Sequence, residues 1–311
     1  GENILTEITR EKLDKLYNKQ KKTMLTIVGI STAGFIIIFS AARIYEDKSA
    51  SELPITTAAI FIMAAALFIA AAIAKKKIIP AGNGPAVQDA SRSLQRDFLS
   101  DHAVDMLYRK ICQTSNYPDK TKLMLLLCDV YMLRGQYNEA LNMLGSVDRS
   151  RFSEYPEVGM SFFDDTLFVY TELGDNDSVL RAYEDAKPFI EHCAERNYLC
   201  CSTALNIMKT AEKARGNYRH ALDMKLMKNE FENKLNQSTS AASVQTSPLT
   251  QYLRGCVFYD TAELFYLCGD YANAAKYLDI GGPMLAVCPT ATQKANRLSD
   301  SIRNAMGINN K

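Results

Sequence analysis

Apolar residues recur at every third or fourth position along most of the chain beyond residue 93, which is the spacing of one face of a helix. The stretch from 94 to 111 shows this spacing first, with apolar side chains at Leu94, Phe98, Ala103, Met106, Leu107 and Ile111. After Pro289, the run TATQKANRLSDSIRNAM predicts a more polar helix, of the kind that closes the end of a helical stack. The pattern therefore predicts an all-α fold.

Two runs without a charged residue precede this amphipathic pattern. Residues 24–42 and residues 54–74 each approach the roughly 20 apolar residues that a helix needs to cross a bilayer. They predict a two-helix transmembrane hairpin over residues 24–74. Lysines flank both outer ends of the hairpin, so the positive-inside rule places those ends in the cytoplasm. Because neither run contains an ionisable residue, the hairpin is interpreted as an anchor and not as a transport path.

Composition divides the rest of the chain. Residues 1–23 predict an N-terminal cytoplasmic helix, and residues 75–92, rich in Gly, Pro and Ser, predict a linker. Residues 93–311 hold the helical domain. A polar, low-complexity stretch at residues 236–249 predicts a loop within that domain.

A short phrase recurs four times in the helical domain. It reads LRGQYNEALNML from Leu133, ELGDNDSVLRAY from Glu172, ARGNYRHALDM from Ala214 and LCGDYANAAKYL from Leu267. The steps between its glycines are 39, 42 and 53 residues. Each glycine is predicted to end the first helix of a pair, where a residue without Cβ turns the chain most easily. The aromatic residue that usually follows is predicted to begin the second helix, and the later alanine to let the two helices approach closely.

This phrase resembles the tetratricopeptide repeat family, in which pairs of helices stack in series. In the first unit the matching positions are Met124, Leu127, Cys128, Tyr131, Gly135, Tyr137, Ala140, Leu144 and Val147, and in the fourth they are Phe258, Ala262, Phe265, Gly269, Tyr271, Ala274 and Leu278. The third unit keeps the glycine, but Lys209 and Glu212 stand where a small and a bulky residue are usual. The resemblance implies an α-solenoid of antiparallel helix pairs over residues 93–307.

The resemblance also implies a binding surface, because the first helices of such pairs line a concave groove that holds a peptide or protein segment. The implied partner-binding residues are Lys122, Leu125, Asp129, Met132, Asp164, Phe168, Asn206, Tyr259, Glu263 and Tyr266. Their mixed charge argues against the basic clamp with which some family members bind a terminal carboxylate. A neutral or basic peptide fits better, and Tyr259 and Tyr266, two helical turns apart, are its predicted aromatic contacts.

Charge and motifs exclude several other functions. With 36 basic and 35 acidic residues, the chain lacks the basic excess of a bulk nucleic-acid binder. It has only three histidines and no zinc-protease, hydrolase or phosphate-loop motif, so no enzyme activity, cofactor or metal site is predicted. The stretch EHCAERNYLCC has metal-binding residue types but no C-x-x-C pair. All eight cysteines are interpreted as reduced packing thiols, typical of a cytosolic protein.

Two functions remain open at this point. The first is a membrane-anchored cytoplasmic adaptor or scaffold that binds a protein or peptide in the groove of its repeats. The alternative is an accessory or regulatory subunit of a membrane enzyme or transporter, with the hairpin as its interface.

Overall fold

The computed structural model describes residues 81–193, 198–239 and 247–307, together with scattered residues between 11 and 29. The part from residue 81 onward is described by itself, as one compact unit. Its described residues form α-helices and one short 3-10 helix, without a strand. The helices are α1 (Pro85–Leu94), α2 (Asp101–Gln113), α3 (Tyr117–Leu133), α4 (Tyr137–Gly145), α5 (Pro156–Glu172), α6 (Asn176–Cys193), α7 (Tyr198–Ala214), α8 (Tyr218–Thr239), α9 (Pro248–Leu267), α10 (Tyr271–Gly281), the 3-10 helix (Gly282–Leu285) and α11 (Pro289–Ala305). The predicted all-α fold is confirmed for this part of the chain.

The predicted membrane location is contradicted. Of the helices in the described ranges, none combines the length and the apolar character that crossing a bilayer requires. The longest of them, α8, has 22 residues but contains Lys225, Lys228 and Glu232. The two runs behind the predicted hairpin, residues 24–42 and 54–74, lie outside the described residues except for Thr26 and Gly29. Neither a membrane anchor nor a cytoplasmic orientation is therefore carried into the proposals below.

The repeated phrase forms the predicted helix ends. Its four glycines all lie in the left-handed region, with φ of 73° at Gly135, 72° at Gly174, 79° at Gly216 and 79° at Gly269. A Cβ atom is strained in this conformation, which explains why glycine recurs there. The first helix of each pair ends two residues earlier, and the second begins two residues later. These local predictions are confirmed.

The helices pack as neighbouring pairs. Helix α3 packs on α4, α5 on α6, α7 on α8 and α9 on α10, while α5 also packs on both α3 and α7. The fifth residue after each repeat glycine is completely buried; these residues are Ala140, Val179, Ala221 and Ala274. The three alanines let the paired helices come close, as the sequence predicted, and Val179 departs from the predicted alanine but is equally buried.

Two segments differ from the sequence-based expectation. Helix α1 occupies residues that were predicted as linker, because Pro85 starts the helix and Val87, Ala90 and Leu94 are buried along one face. The backbone N–H of Gly84 donates to Asp119 Oδ1 at 3.0 Å, which ties the start of α1 to α3. Of the predicted loop at 236–249, residues 240–246 lie outside the described part, while α8 continues to Thr239 and α9 begins at Pro248.

The fourth pair also touches the first elements of the unit. Thr250 Oγ1, in the first turn of α9, donates to Gln95 Oε1 at 2.9 Å. The rings of Phe98 and Tyr252 lie 5.8 Å apart, and both side chains are buried. These contacts join residues that are more than 150 positions apart in the sequence.

Candidate partner-binding site

Polar side chains connect the first helices of successive pairs. Lys122 Nζ on α3 donates to Ser161 Oγ on α5 at 3.4 Å. Asn206 Nδ2 on α7 donates to Asp164 Oδ1 on α5 at 2.7 Å. Two ion pairs continue from α7 to α9, joining Lys209 to Asp260 and Lys213 to Glu263. We call the side chains along this line, together with Asp129, the polar row: Lys122, Asp129, Ser161, Asp164, Asn206, Lys209, Lys213, Asp260 and Glu263.

The α3–α5 end of the polar row is rich in carboxyl groups. Asp129, Asp164 and Asp165 are half-buried, and Lys122 lies near all three carboxyl groups. Burial raises the pKa of Asp129 to about 6, against the opposing effect of Lys122. Burial also raises the pKa of Asp164, which its bond from Asn206 opposes, and raises that of Asp165 well above its usual range, helped by Asp129. A cationic group that approached these carboxyl groups would favour their ionised form.

The α7–α9 end is built around a shared carboxylate. Asp260 Oδ2 accepts from Lys209 Nζ at 2.7 Å and from Lys225 Nζ at 2.8 Å. Lys209 is only 7% exposed and Lys225 only 3% exposed. Burial lowers the pKa of Lys225 to about 8, although Asp260 counteracts this. The two lysines hold the pKa of Asp260 well below its usual range, which outweighs the opposite effect of its burial.

A second carboxylate lies beside this group. Glu232 Oε1 accepts from Lys228 Nζ at 2.8 Å and from Ser202 Oγ at 2.7 Å. Burial alone would raise the pKa of Glu232, but the Lys228 charge and these bonds lower it. The lysines at this end are therefore paired within the protein, in contrast to the acids at the other end.

The residues predicted from the family resemblance fall into three groups. Lys122, Asp129, Asp164, Asn206 and Glu263 belong to the polar row. Leu125 and Met132 are buried and pack inside the unit, whereas the Phe168 side chain is 47% exposed. Tyr259 and Tyr266 are half-buried, and the Tyr266 ring lies 5.7 Å from that of Tyr271.

Sequence reasoning missed the buried charges that surround the row. Lys225, Asp260 and Asp165 were not singled out, and Lys209 was noted only as a departure from the repeat pattern. That departure was the available signal, because a lysine at a position that is usually small and buried needs a nearby carboxylate. Which carboxylate it reaches, 51 positions away at Asp260, depends on how the helices stack.

The described residues give no reason to place a metal or a reactive thiol at the row. Within the described ranges, no group of three His, Cys, Asp or Glu side chains could hold a metal ion. Cys112, Cys128, Cys256, Cys268 and Cys288 are free thiols. Burial raises the pKa of Cys128, and this thiol donates to the Ala140 carbonyl at 3.7 Å, so it is a packing residue. The side chains of residues 192–199, which include part of the EHCAERNYLCC stretch, are not among those that the structure describes.

No protein-family model, no curated protein and no solved structure matches this chain. Its function is therefore inferred from its own residues.

Proposed function

We propose that the paired helices from α3 to α10 form a tetratricopeptide-like α-solenoid that binds a peptide or protein segment along the polar row. In this proposal the protein is an adaptor or scaffold and not an enzyme. The observation that carries it is the continuity of the row, since side chains of all four first helices meet in one line. An extended segment lying along this line would contact every pair.

Phe168 supplies a reason to expect an apolar contact beside the charges. It lies one helical turn after Asp164, so the two side chains occupy neighbouring positions on α5. Nearly half of its surface is exposed, although most large apolar residues of this unit are buried. Aromatic side chains are common anchors of binding surfaces, and their truncation often costs about 2 kcal/mol or more of binding free energy.

Charge indicates the chemistry of the partner. Lys122 is the lysine nearest to Asp129 and Asp165, and Asp164 is also influenced by Lys209 and Lys228. Because burial raises the pKa of all three carboxyl groups, a lysine or arginine of the bound segment would favour their ionised form and would be attracted to them. Lys209 and Lys225 offer no matching site for an acidic segment, because both are almost completely buried and already donate to Asp260. We therefore propose a basic segment that also carries an apolar or aromatic residue.

The test uses the purified full chain and a phage-displayed library of random peptides. Peptides rich in lysine or arginine, with an apolar residue, are expected to be enriched. Binding of a selected synthetic peptide is then measured by calorimetry for Phe168→Ala and Asp129→Asn. Each substitution is expected to weaken binding roughly 10-fold or more.

Ile280→Ala is the matched control. Ile280 is 43% exposed, close to the value for Phe168, but lies on α10, a second helix of a pair. This variant is expected to bind like the wild type. If no peptide is enriched, or if selected peptides bind Phe168→Ala and Asp129→Asn as tightly as Ile280→Ala, the polar row is not the binding surface.

A further inference from the structure

Helix α11 reaches across to the first two pairs of the unit. Lys294 Nζ forms an ion pair with Glu172, the last residue of α5. Glu172 also accepts from the Tyr137 hydroxyl, at the start of α4, at 2.8 Å. We call these three side chains the latch: Tyr137, Glu172 and Lys294.

A second contact lies at the end of α3. The Leu133 carbonyl accepts from Thr290 Oγ1 at 3.3 Å and from Cys288 Sγ at 3.3 Å. Cys288 is only 1% exposed in this position. The segment from Cys288 to Lys294 is thus held against α3, α4 and α5 by polar groups.

These contacts differ from those that hold α11 to its sequence neighbours. The buried residues of α11 are Ala295, Leu298 and Ile302, and the helix packs on α10, the 3-10 helix and α9. The latch instead joins polar groups, and the Lys294 side chain is 37% exposed. Partly exposed ion pairs contribute little in water, typically below about 1 kcal/mol, so the latch can open without loss of the α11 core.

The latch adjoins the proposed binding surface. Glu172 is one helical turn after Phe168 on α5. The Glu172 charge also helps to raise the pKa of Tyr259 on α9, although burial has the larger effect, and this places Tyr259 near the same carboxylate. Glu172 therefore lies one turn from the exposed aromatic on α5 and near the half-buried tyrosine on α9.

We propose that the latch of Tyr137, Glu172 and Lys294 is a conformational switch that restricts access to the part of the proposed binding surface beside Phe168 and Tyr259. When it opens, the Cys288 end of α11 moves away from α3 while the apolar side of α11 stays packed on α10. As a control of access, this inference rests on the proposed binding function. The opening itself is an independent property of the chain.

Cys288 provides a built-in probe for the opening. Its thiol should react with an alkylating reagent only when the segment leaves the Leu133 carbonyl. The experiment compares the rates of maleimide labelling of the full chain, resolved by peptide mass spectrometry, for the wild type and Lys294→Ala. We expect the labelling rate of Cys288 to be about 3- to 5-fold higher in Lys294→Ala, which corresponds to the loss of a partly exposed ion pair. High salt should also increase the labelling rate of Cys288 in the wild type, because it screens the ion pair between Lys294 and Glu172.

Three controls distinguish the opening of the latch from a general loosening of the fold. Arg297→Ala removes an exposed positive charge from the same helix and is expected to label like the wild type. Cys128, fully buried inside the first pair, should keep its slow rate in every variant. Glu172→Lys combined with Lys294→Glu should restore slow labelling of Cys288.

The proposal is wrong if Cys288 labels equally fast in the wild type and in Lys294→Ala. It is also wrong if Cys128 accelerates together with Cys288, because the substitution would then loosen the whole unit. This measurement uses no peptide, so it tests the opening of the latch separately from the proposed binding function. If the latch opens as expected but no peptide binds, only the proposed function is wrong.

Discussion

Replacing Asp260 by asparagine tests whether the buried charges of the polar row are balanced as the structure indicates. The substitution keeps the shape of the side chain but removes the negative charge that Lys209 and Lys225 share. Two lysines, 7% and 3% exposed, would then lie in the protein without their counter-charge. Asp260→Asn is therefore expected to destabilise the fold strongly.

The magnitude follows from the geometry. Removing one partner of a fully buried ion pair typically costs about 3–5 kcal/mol. About a third of the Asp260 side chain is accessible to water, which screens part of this effect. We therefore expect a loss of about 2–3 kcal/mol in the free energy of unfolding, or roughly 5–10 °C in the melting temperature.

The assay is urea and thermal unfolding followed by circular dichroism at neutral pH. Asp89→Asn is the matched control, since it makes the same substitution in the ion pair with Lys110, where Asp89 is 60% exposed. The control is expected to leave the stability almost unchanged, because water screens this exposed pair. Adding Lys225→Met to Asp260→Asn should recover part of the loss, because one of the two uncompensated charges is then gone.

The pH dependence gives a second readout. The folded-state pKa of Lys225 is about 8, below its ordinary value of 10.5. Between these values the unfolded chain binds more protons, so the stability of the wild type should rise with pH from about 8 upward. Without Asp260 the pKa of Lys225 falls further, so the stability of Asp260→Asn should begin to rise at a lower pH. The difference in stability between the variant and the wild type should therefore become smaller as the pH approaches 8. If Asp260→Asn is as stable as Asp89→Asn at neutral pH, the shared ion pair does not stabilise this fold.

Other substitutions test separate features of the structure. Gly281→Ala would place a Cβ 2.5 Å from Phe258 Cβ on α9, so we expect the free energy of unfolding in urea to fall by about 1–3 kcal/mol. Gly282→Ala, at the next residue, is the control, because its Cβ would meet nothing within 4 Å and the stability should not change. Asp129 has its pKa raised to about 6, so wild-type stability should fall between about pH 4 and 6, where the unfolded chain is ionised first. Asp129→Asn should make this slope shallower and be more stable at pH 7 by about 1 kcal/mol in pH-dependent unfolding, while Asp164 and Asp165, whose pKa values are also raised, keep part of the slope. A contrary result would be a slope that is undiminished in the variant.

The positions of most helices and turns could be predicted from local sequence. Gly135 and its three counterparts end the first helices because the left-handed backbone there excludes a Cβ, a requirement set by a few neighbouring residues. Pro289 likewise starts α11 as expected. Helix α1 was missed because its opening glycine and proline were interpreted as linker, although proline is favoured in the first turn of a helix.

The break between α1 and α2 shows where local reasoning ends. Apolar spacing from Leu94 to Ile111 predicted continuous helix, but the chain bends at residues 95–100. Ser100 caps α2 by accepting from the Ala103 N–H at 3.2 Å, and Phe98 leaves the helical path to pack on Tyr252. The serine cap is a local signal in the sequence, whereas the packing of Phe98 depends on a contact with a distant helix.

Local sequence and tertiary structure also determine different parts of the candidate site. The sequence, through its resemblance to a repeat family, singled out Asp129, Asp164 and Phe168 on the first helices. It also included Leu125, which the fold buries, because a repeat pattern assigns a face of the helix but not what covers that face. Only the tertiary structure decided which charges meet: Lys209 and Asp260 are 51 positions apart, and the stacking of α7 and α9 brings them within 2.7 Å. Helix formation depends on neighbours a few residues away, whereas burial of a charge and its pKa depend on every element packed around it.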